Sequence, residues 1–211
     1  NRFIAHILVN GKEEICHVKN TGRGRELLIP NAEIYVQTNN DPKRKTKFSL
    51  IAVNKGGRLI NMDSQAPNKA VEEWLKSGGL FSDIVNLKRE KTFQNSRFDM
   101  YFERGGKKCF MEVKGVTLEN DNVVSFPDAP SERAVKHLKE LQIAHSMGYE
   151  TYVLFIVQMS DVKYFEPNAE NHKAFAEELK QAKASGVNIL AYDCEIEPNS
   201  MVIRKPVQVL V

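Results

Sequence analysis

The sequence predicts a mixed α/β protein in which a small β-rich domain precedes a larger α/β domain. The first 66 residues contain short apolar segments separated by Gly, Asn and Pro, and none of them has the period of a helix. From Pro67 onward, helical periodicity alternates with strand-like segments, which is the pattern of a sheet covered by helices. We therefore divide the chain into residues 1–66 and residues 67–211.

The N-terminal part is predicted to be a small β-barrel. Residues 2–9 alternate in the manner of a strand, and Asn10-Gly11 is a dipeptide that favours a tight hairpin turn. Further strands are expected at residues 14–18, 27–30, 34–38, 47–53 and 59–60. Several short strands without a helix are typical of a small barrel, and the OB-fold is the common barrel that binds nucleic acids. We expect an OB-like nucleic-acid-binding domain.

The C-terminal part is predicted to alternate helices and strands. A helix is expected from Pro67 to Gly78, because residues 70, 71, 74 and 75 form an apolar stripe. A loop that contains Phe126-Pro127-Asp128 separates the first strands from the later elements. The expected elements after the first helix are strands at 85–93, 97–103 and 108–113, a helix at 131–147, a strand at 151–157, a helix at 171–185, and strands at 187–191 and 201–211.

Basic charge is concentrated in the N-terminal part. Residues 1–66 carry 11 Lys/Arg and 6 Asp/Glu, whereas residues 67–211 carry 19 and 21, so the net charges are +5 and −2. This asymmetry indicates that the first part meets an anion, although a solvated basic loop is the alternative. The expected contacts with the DNA backbone are six basic residues, Arg23, Arg25, Lys43, Arg44, Lys45 and Lys47.

Composition and chain ends favour a cytoplasmic protein without a membrane segment. No apolar run approaches the roughly 20 residues of a membrane span, and the first residues alternate instead of forming the apolar core of a signal peptide. Three cysteines are an odd number without the spacing of a metal site, which favours a reducing compartment.

Acidic residues interrupt the three successive strands of the C-terminal part. Alternation along a strand places Glu112 and Lys114 on one face, and a hairpin brings Asp99 next to Glu112. Converging carboxylates at a sheet centre need a cation, and Mg²⁺ (or Mn²⁺) prefers oxygen ligands and keeps waters for a substrate phosphate. Lys114 would then orient or deprotonate the attacking water. The alternative is a surface ion pair on an exposed sheet face.

The spacing of Asp99 and Glu112-Val113-Lys114 resembles the core of the PD-(D/E)xK nucleases. The resemblance implies that Asp99 and Glu112 bind Mg²⁺ and that Lys114 is the catalytic base or charge stabiliser. It also implies a further acidic residue that is both catalytic and metal-binding, for which Glu90 on the first strand is preferred. The alternative candidates are two residues of the preceding helix, Glu72 and Glu73.

The strand that carries Asp99 has two further features. Alternation places Arg97 and Asp99 on one face, and Phe98 and Met100 on the other. Arg97 is therefore expected to pair with Asp99 or to contact a phosphate. Phe98 stands where the nuclease motif has proline, while the Pro127-Asp128 dipeptide follows the Glu-x-Lys and so has the wrong order for the motif. This dipeptide could still cap the helix that begins near Ser131 or reach the site from its loop.

Six motifs in order resemble one family, the sugar fermentation stimulation protein family (SfsA). They are Asn20-Thr21-Gly22-Arg23, Pro67-Asn68, Ser96-Arg97-Phe98-Asp99, Glu112-Val113-Lys114-Gly115-Val116-Thr117-Leu118, Phe126-Pro127-Asp128-Ala129 and Lys136-His137-Leu138-Lys139-Glu140-Leu141. The resemblance implies an OB-type domain joined to a PD-(D/E)xK nuclease-like domain, DNA binding without strong sequence preference, and a regulatory role in sugar metabolism. Because related nuclease folds often act as dimers, it also allows a homodimer.

Two functions from different classes follow from these expectations. The first is a DNA-binding protein that contacts phosphates with its basic barrel, and the second is a Mg²⁺-dependent nuclease that uses Asp99, Glu112 and Lys114. Arg133 and His137 are spaced by one helical turn and are expected to lie near the DNA phosphate, with a solvated helix face as the alternative.

Overall fold

A computed structural model describes all residues, 1–211. Its fifteen strands form three sheets, and no helix is long and apolar enough to cross a membrane. In chain order the elements are β1 (Ile4–Val9), β2 (Lys12–Val18), β3 (Ile34–Thr38), β4 (Phe48–Lys55), β5 (Arg58–Asn61), α1 (Ala66–Lys76), β6 (Val85–Phe93), β7 (Ser96–Arg104), β8 (Lys107–Val116), β9 (Leu118–Asn120), β10 (Val123–Phe126), α2 (Glu132–Ser146), β11 (Glu150–Val157), β12 (Tyr164–Pro167), α3 (Lys173–Ala184), β13 (Asn188–Glu197), β14 (Ser200–Pro206) and β15 (Gln208–Val209).

The N-terminal sheet contains the five strands β1 to β5 in the order β1-β2-β4-β3, with β5 also paired to β4. The positive φ angles of Asn10 and Gly11 form the predicted hairpin between β1 and β2. The prediction of a strand at residues 27–30 is wrong. The N–H groups of Leu27 and Leu28 donate to the carbonyl of Gly24 at 3.1 and 2.9 Å, so this segment is a turn.

The C-terminal domain is built on a six-stranded sheet with the order β14-β13-β11-β8-β7-β6. The central strands β8, β11 and β13 are parallel, and the outer strands pair antiparallel. Helix α1 covers one face with Val71 and Leu75, whereas α2 and α3 pack together on the other face. The Ser131 hydroxyl caps α2 by accepting from the Ala134 N–H at 3.3 Å.

A third sheet was not expected from the sequence. It has the order β15-β12-β10-β9, and it includes residues that were predicted as loop. The predicted strand at 201–211 is divided between two sheets, because β14 pairs with β13 and β15 pairs with β12. Strands of two to four residues are too short to show a period, so their pairing depends on distant segments.

Strand β7 departs from regular alternation at the residue before Met100. Its pairing with β8 runs only from Met100 to Arg104, and the Asp99 carboxylate accepts the N–H of Val113 at 2.8 Å. Phe98 packs on the α2 side and Met100 on the α1 side, so the prediction that they share a face is wrong. Where the β7–β8 pairing ends, the Asp99 side chain therefore accepts a hydrogen bond from the β8 backbone.

Candidate metal centre

A cavity of about 440 Å³ lies between the N-terminal barrel and the C-terminal domain. The barrel contributes Arg2 and the loop after β2, while the C-terminal domain contributes the start of α1, the end of β8 and the loop before α2. The charged and amide side chains in its wall are Arg2, Asn20, Asn68, Asp99, Glu112, Lys114, Asp128, Arg133 and Gln158. Asp99, Glu112 and Lys114 are thus brought together, as predicted.

Glu112 is the most deeply placed carboxylate of the cavity, with 2% of its surface exposed. Its Oε1 atom contacts Lys114 Nζ at 2.5 Å and also His137 Nδ1. Its Oε2 atom is buried and has no hydrogen-bond partner. Burial raises the pKa of Glu112, but the charge of Lys114 and the contact with His137 outweigh burial, so the pKa lies below its usual value.

Asp99 is held by two donors, Asn68 Nδ2 and the N–H of Val113, each at 2.8 Å. Burial raises the pKa of Asp99 to about 6, and the neighbouring charge of Glu112 acts in the same direction. Lys114 and the two donors lower this pKa but do not compensate for burial. The two carboxylates therefore repel each other at a site where burial weakens the screening of their charges.

The chemistry of this donor set fits a divalent cation. A buried carboxylate oxygen without a donor and a second carboxylate with a high pKa both indicate missing positive charge. No group of three His, Cys, Asp or Glu side chains is placed to hold a metal, so the protein would supply two carboxylates. Mg²⁺ is commonly bound by one or two carboxylates and completes its shell with waters and phosphate oxygens.

Glu90 does not belong to this site, contrary to the prediction. It lies on the edge strand β6 with φ of 53°, and its carboxylate pairs with Arg97 at 3.5 Å on the protein surface. The two alternatives are also elsewhere, because Glu72 pairs with Lys76 at 2.6 Å and Glu73 approaches Lys69 at 3.9 Å. All three were chosen because the nuclease resemblance implies a further acidic residue on a nearby element, and a place on an element does not specify the direction of an exposed side chain.

Of the residues predicted near the phosphate, only Arg133 lines the cavity. Arg97 is exposed and pairs with Glu90 instead of Asp99. His137 is 4% exposed, packs against the Phe98 ring and contacts Glu112, so the prediction that it contacts DNA is wrong. Its burial follows from α2 turning this side of the helix onto the sheet.

The predicted basic contacts lie outside the cavity wall. Lys43, Lys45 and Lys47 are exposed in the loop between β3 and β4, where Arg44 donates to Ser49 Oγ at 3.0 Å. The other two, Arg23 and Arg25, are exposed in the loop after β2. These side chains are accessible to a polyanion, although none of them reaches Asp99 or Glu112.

The two domains are connected at the cavity by Gln158, which sequence reasoning missed, and by Asp128, which lines the cavity from its loop. Gln158 donates to Asn61 Oδ1 at 2.9 Å, and Asp128 accepts the backbone N–H groups of Arg23 and Gly24. Asn68, which holds Asp99, was missed as well, although its place beside Pro67 at a predicted helix start was a usable signal. Contacts between segments that lie far apart along the chain leave no periodic signal in the sequence.

The fold and the cavity define a two-domain protein with an N-terminal OB domain and a C-terminal α/β domain. Residues 1–62 match the domain described as "SfsA N-terminal OB domain", and residues 65–200 match "Sugar fermentation stimulation protein RE domain". The chain belongs to the sugar fermentation stimulation protein family, as its motifs indicated.

Relatives and a solved structure agree with this assignment. The sugar fermentation stimulation protein homolog of Clostridium beijerinckii is 57% identical over 210 residues, covering 100% of this chain and 93% of the relative. The homolog of Desulfitobacterium hafniense (strain DSM 10664 / DCB-2) is 58% identical over 201 residues, covering 95% and 88%. The structure of Pyrococcus furiosus SfsA in complex with Ca²⁺ has a TM-score of 0.91 and 28% identity, covering 100% of this chain and 92% of that one.

Proposed function

We propose that this protein binds DNA without strong sequence preference and holds a divalent cation, Mg²⁺ or Mn²⁺, at Asp99 and Glu112. The observation that carries the cation site is the buried Glu112 Oε2, which has no donor in a cavity that also holds a second carboxylate of raised pKa. The Pyrococcus furiosus relative was solved with Ca²⁺, which supports a divalent cation because Ca²⁺ shares the preference for oxygen ligands.

DNA binding is supported by the exposed basic side chains of the barrel. Lys43, Lys45 and Lys47 project from one loop, and Arg23 and Arg25 from another, without carboxylate partners. Contacts of this kind neutralise phosphates and release counterions, so their contribution depends on salt and not on base sequence.

A second function, hydrolysis of phosphodiester bonds, is favoured by the position of Lys114. Its ammonium group lies in the cavity wall, 2.5 Å from Glu112 Oε1, where it would also donate to a phosphate oxygen. Asn68 keeps the Asp99 carboxylate oriented, and Arg133 adds positive charge at the same wall. When bound, the cation would lower the pKa of a coordinated water and offset charge on the phosphate.

The cation site is tested by titrating Mn²⁺ and Mg²⁺ into the protein by calorimetry. We expect Glu112→Gln to weaken binding by at least about tenfold, because it removes the charge of a buried ligand. Glu170→Gln, at an exposed position, makes the same chemical change and should bind as the wild type does. Equal affinity in all three proteins would remove the proposed site.

Hydrolysis is tested by incubating the wild type and Lys114→Met with linear, nicked, single-stranded and branched DNA in Mg²⁺ or Mn²⁺. Cleavage that needs the cation and is lost in Lys114→Met would establish the nuclease. Cation binding without cleavage of any substrate would exclude the second function, and the protein would then be a DNA-binding protein on a nuclease-like scaffold.

DNA binding is tested by measuring affinity as a function of salt for Lys43→Ala/Lys45→Ala. If both lysines contact phosphates, the slope of log K against log salt decreases by about 0.9 for each, on several unrelated sequences. Lys173→Ala/Lys180→Ala on α3 removes the same charge elsewhere and should keep the wild-type slope. An unchanged slope in the first variant would exclude this loop as a contact.

A further inference from the structure

His137 lies between the central carboxylate and a cavity arginine. Its Nδ1 atom contacts Glu112 Oε1, and its Nε2 atom is 3.4 Å from Arg133 Nε. The imidazole is buried and packs edge-on against Phe98, with the ring centroids 6.1 Å apart. Arg133, His137 and Glu112 are therefore linked by successive contacts that lead from the cavity wall to its most deeply buried carboxylate.

The contact with Arg133 defines which imidazole nitrogen carries the proton. An arginine Nε always bears hydrogen and cannot accept, so His137 Nε2 must be the acceptor. A nitrogen that accepts carries no hydrogen, so the ring N–H compatible with this hydrogen bond is the one on Nδ1. That N–H donates to Glu112 Oε1.

The two oxygens of Glu112 consequently have different tasks. Oε1 is engaged by both Lys114 and His137, which together prevent rotation of the carboxylate. Oε2 is left without any donor in a buried position. Partners that hydrogen-bond to a ligating carboxylate fix its orientation and contribute strongly to metal affinity.

We infer that His137, held in one tautomer by Arg133, is a positioning residue that orients Glu112 so that Oε2 is the atom offered to the cation. The inference rests on the proposed cation site. It gives His137 no contact with DNA and no contact with the reacting atoms. It also gives Arg133 a role beyond its positive charge, because the guanidinium selects the Nδ1–H tautomer.

The test compares His137→Leu with His137→Asn by calorimetric titration of Mn²⁺. Leucine removes the donor, and we expect Mn²⁺ affinity to fall by about 10- to 100-fold. Asparagine can place an amide N–H near the position of Nδ1, so it should recover most of the affinity. DNA affinity in the absence of metal should stay at the wild-type value in both variants.

Three outcomes would overturn the inference. If the wild type binds Mn²⁺ and His137→Leu binds it equally well, His137 is a core residue only, while the cation site stands. If His137→Leu loses metal-free DNA affinity and keeps Mn²⁺ affinity, the histidine is a DNA contact. If the wild type binds no Mn²⁺, both the site and the inference fail.

A measurement on the wild type keeps the inference testable if the leucine variant does not fold. The ¹⁵N chemical shifts of the His137 ring distinguish the two neutral tautomers. We expect the Nδ1–H form, in line with the acceptor role of Nε2. A ring protonated only on Nε2 would contradict the role assigned to Arg133 and to the bond with Glu112.

Discussion

Asp99 and Glu112 are two carboxylates of one cavity whose pKa values are moved in opposite directions. Lys114 and His137 keep Glu112 ionised, whereas Asp99 lacks a cation of its own and its pKa rises to about 6. Neighbouring acids of like charge commonly divide in this way. The arrangement is unfavourable for the metal-free fold, and such local conflicts are expected where function requires them.

We predict that Asp99→Asn stabilises the metal-free protein at pH 7 to 8. The folded pKa of about 6 lies above the ordinary 3.8, so the stabilising proton is present at low pH and lost as pH rises through 6. Asparagine removes the charge that appears there, which should raise the free energy of unfolding by about 1–3 kcal/mol. Urea unfolding in the presence of EDTA measures this change in the free energy of unfolding.

The difference between the two proteins should disappear near pH 4, where Asp99 is protonated in the folded wild type. Glu170→Gln serves as the control, because its carboxylate is exposed and the substitution should leave stability unchanged. A destabilised Asp99→Asn protein at pH 8 would show that the hydrogen bonds from Asn68 and Val113 matter more than the charge.

Affinity for Mn²⁺ should depend on pH through the same group. A proton on Asp99 competes with the cation, so affinity should decrease by about tenfold for each pH unit below the pKa near 6. Above this pKa the affinity should level off. Calorimetric titration between pH 5 and 8 measures the curve, and an affinity that does not change from pH 5 to 7 would contradict it.

The loop that follows β2 is held over the cavity by the loop that precedes α2. Asp128 Oδ2 accepts the N–H groups of Arg23 and Gly24, the latter at 2.9 Å. Gly22 leaves room for this approach, because a Cβ atom there would lie 2.6 Å from the same oxygen. The loop that precedes α2 therefore determines where Thr21 and its neighbours form the cavity wall.

We predict that Asp128→Ala loosens this loop. Loss of a charged acceptor leaves two backbone donors without a partner, which should cost about 1–3 kcal/mol. Amide hydrogen exchange at Arg23 and Gly24 should become faster, and denaturant unfolding should report the lower stability. Asp128→Asn keeps an acceptor oxygen and should lie between the alanine variant and the wild type. Unchanged exchange in Asp128→Ala would refute the contact.

Both domains contribute to one apolar core. Val18, Leu50 and Ile60 of the barrel belong to the same cluster as Leu138 of α2 and Phe155 of β11. The surface between the domains also contains charge pairs with a buried carboxylate, since Glu119 contacts the partly exposed Lys55 at 2.6 Å and Arg58 at 3.7 Å. Domains that share a core in this way are expected to lose their structure together.

We predict a single unfolding transition for the whole chain. In scanning calorimetry the measured enthalpy should equal the van't Hoff enthalpy. Leu50→Ala, inside the barrel, should lower the free energy of unfolding by about 2–5 kcal/mol and move the whole transition. Two separated transitions, with only the first shifted by Leu50→Ala, would show that the barrel folds independently.

The division at residue 66 and the homodimer stay predictions.

Much of this architecture could be predicted from local patterns. Strand β6 was predicted with its observed bounds, and α2 was predicted to within a residue at each end. For α2 the reason is that its apolar residues recur at helical spacing over fifteen residues. The shared face of Glu112 and Lys114 follows from the same alternation and is confirmed by their contact. The family, too, was recognisable from motif order alone.

The sequence by itself determined the order of the long elements, the approach of Asp99 to Glu112, and the family. Only the tertiary structure decided that β7 leaves β8 at Asp99, that Glu90 faces solvent, and that His137 holds Glu112. The physical reason is the distance along the chain between the residues that interact. A period records which face of an element is apolar, whereas the partner of a polar side chain is chosen by segments far away in the chain, and their approach leaves no repeating pattern in the sequence.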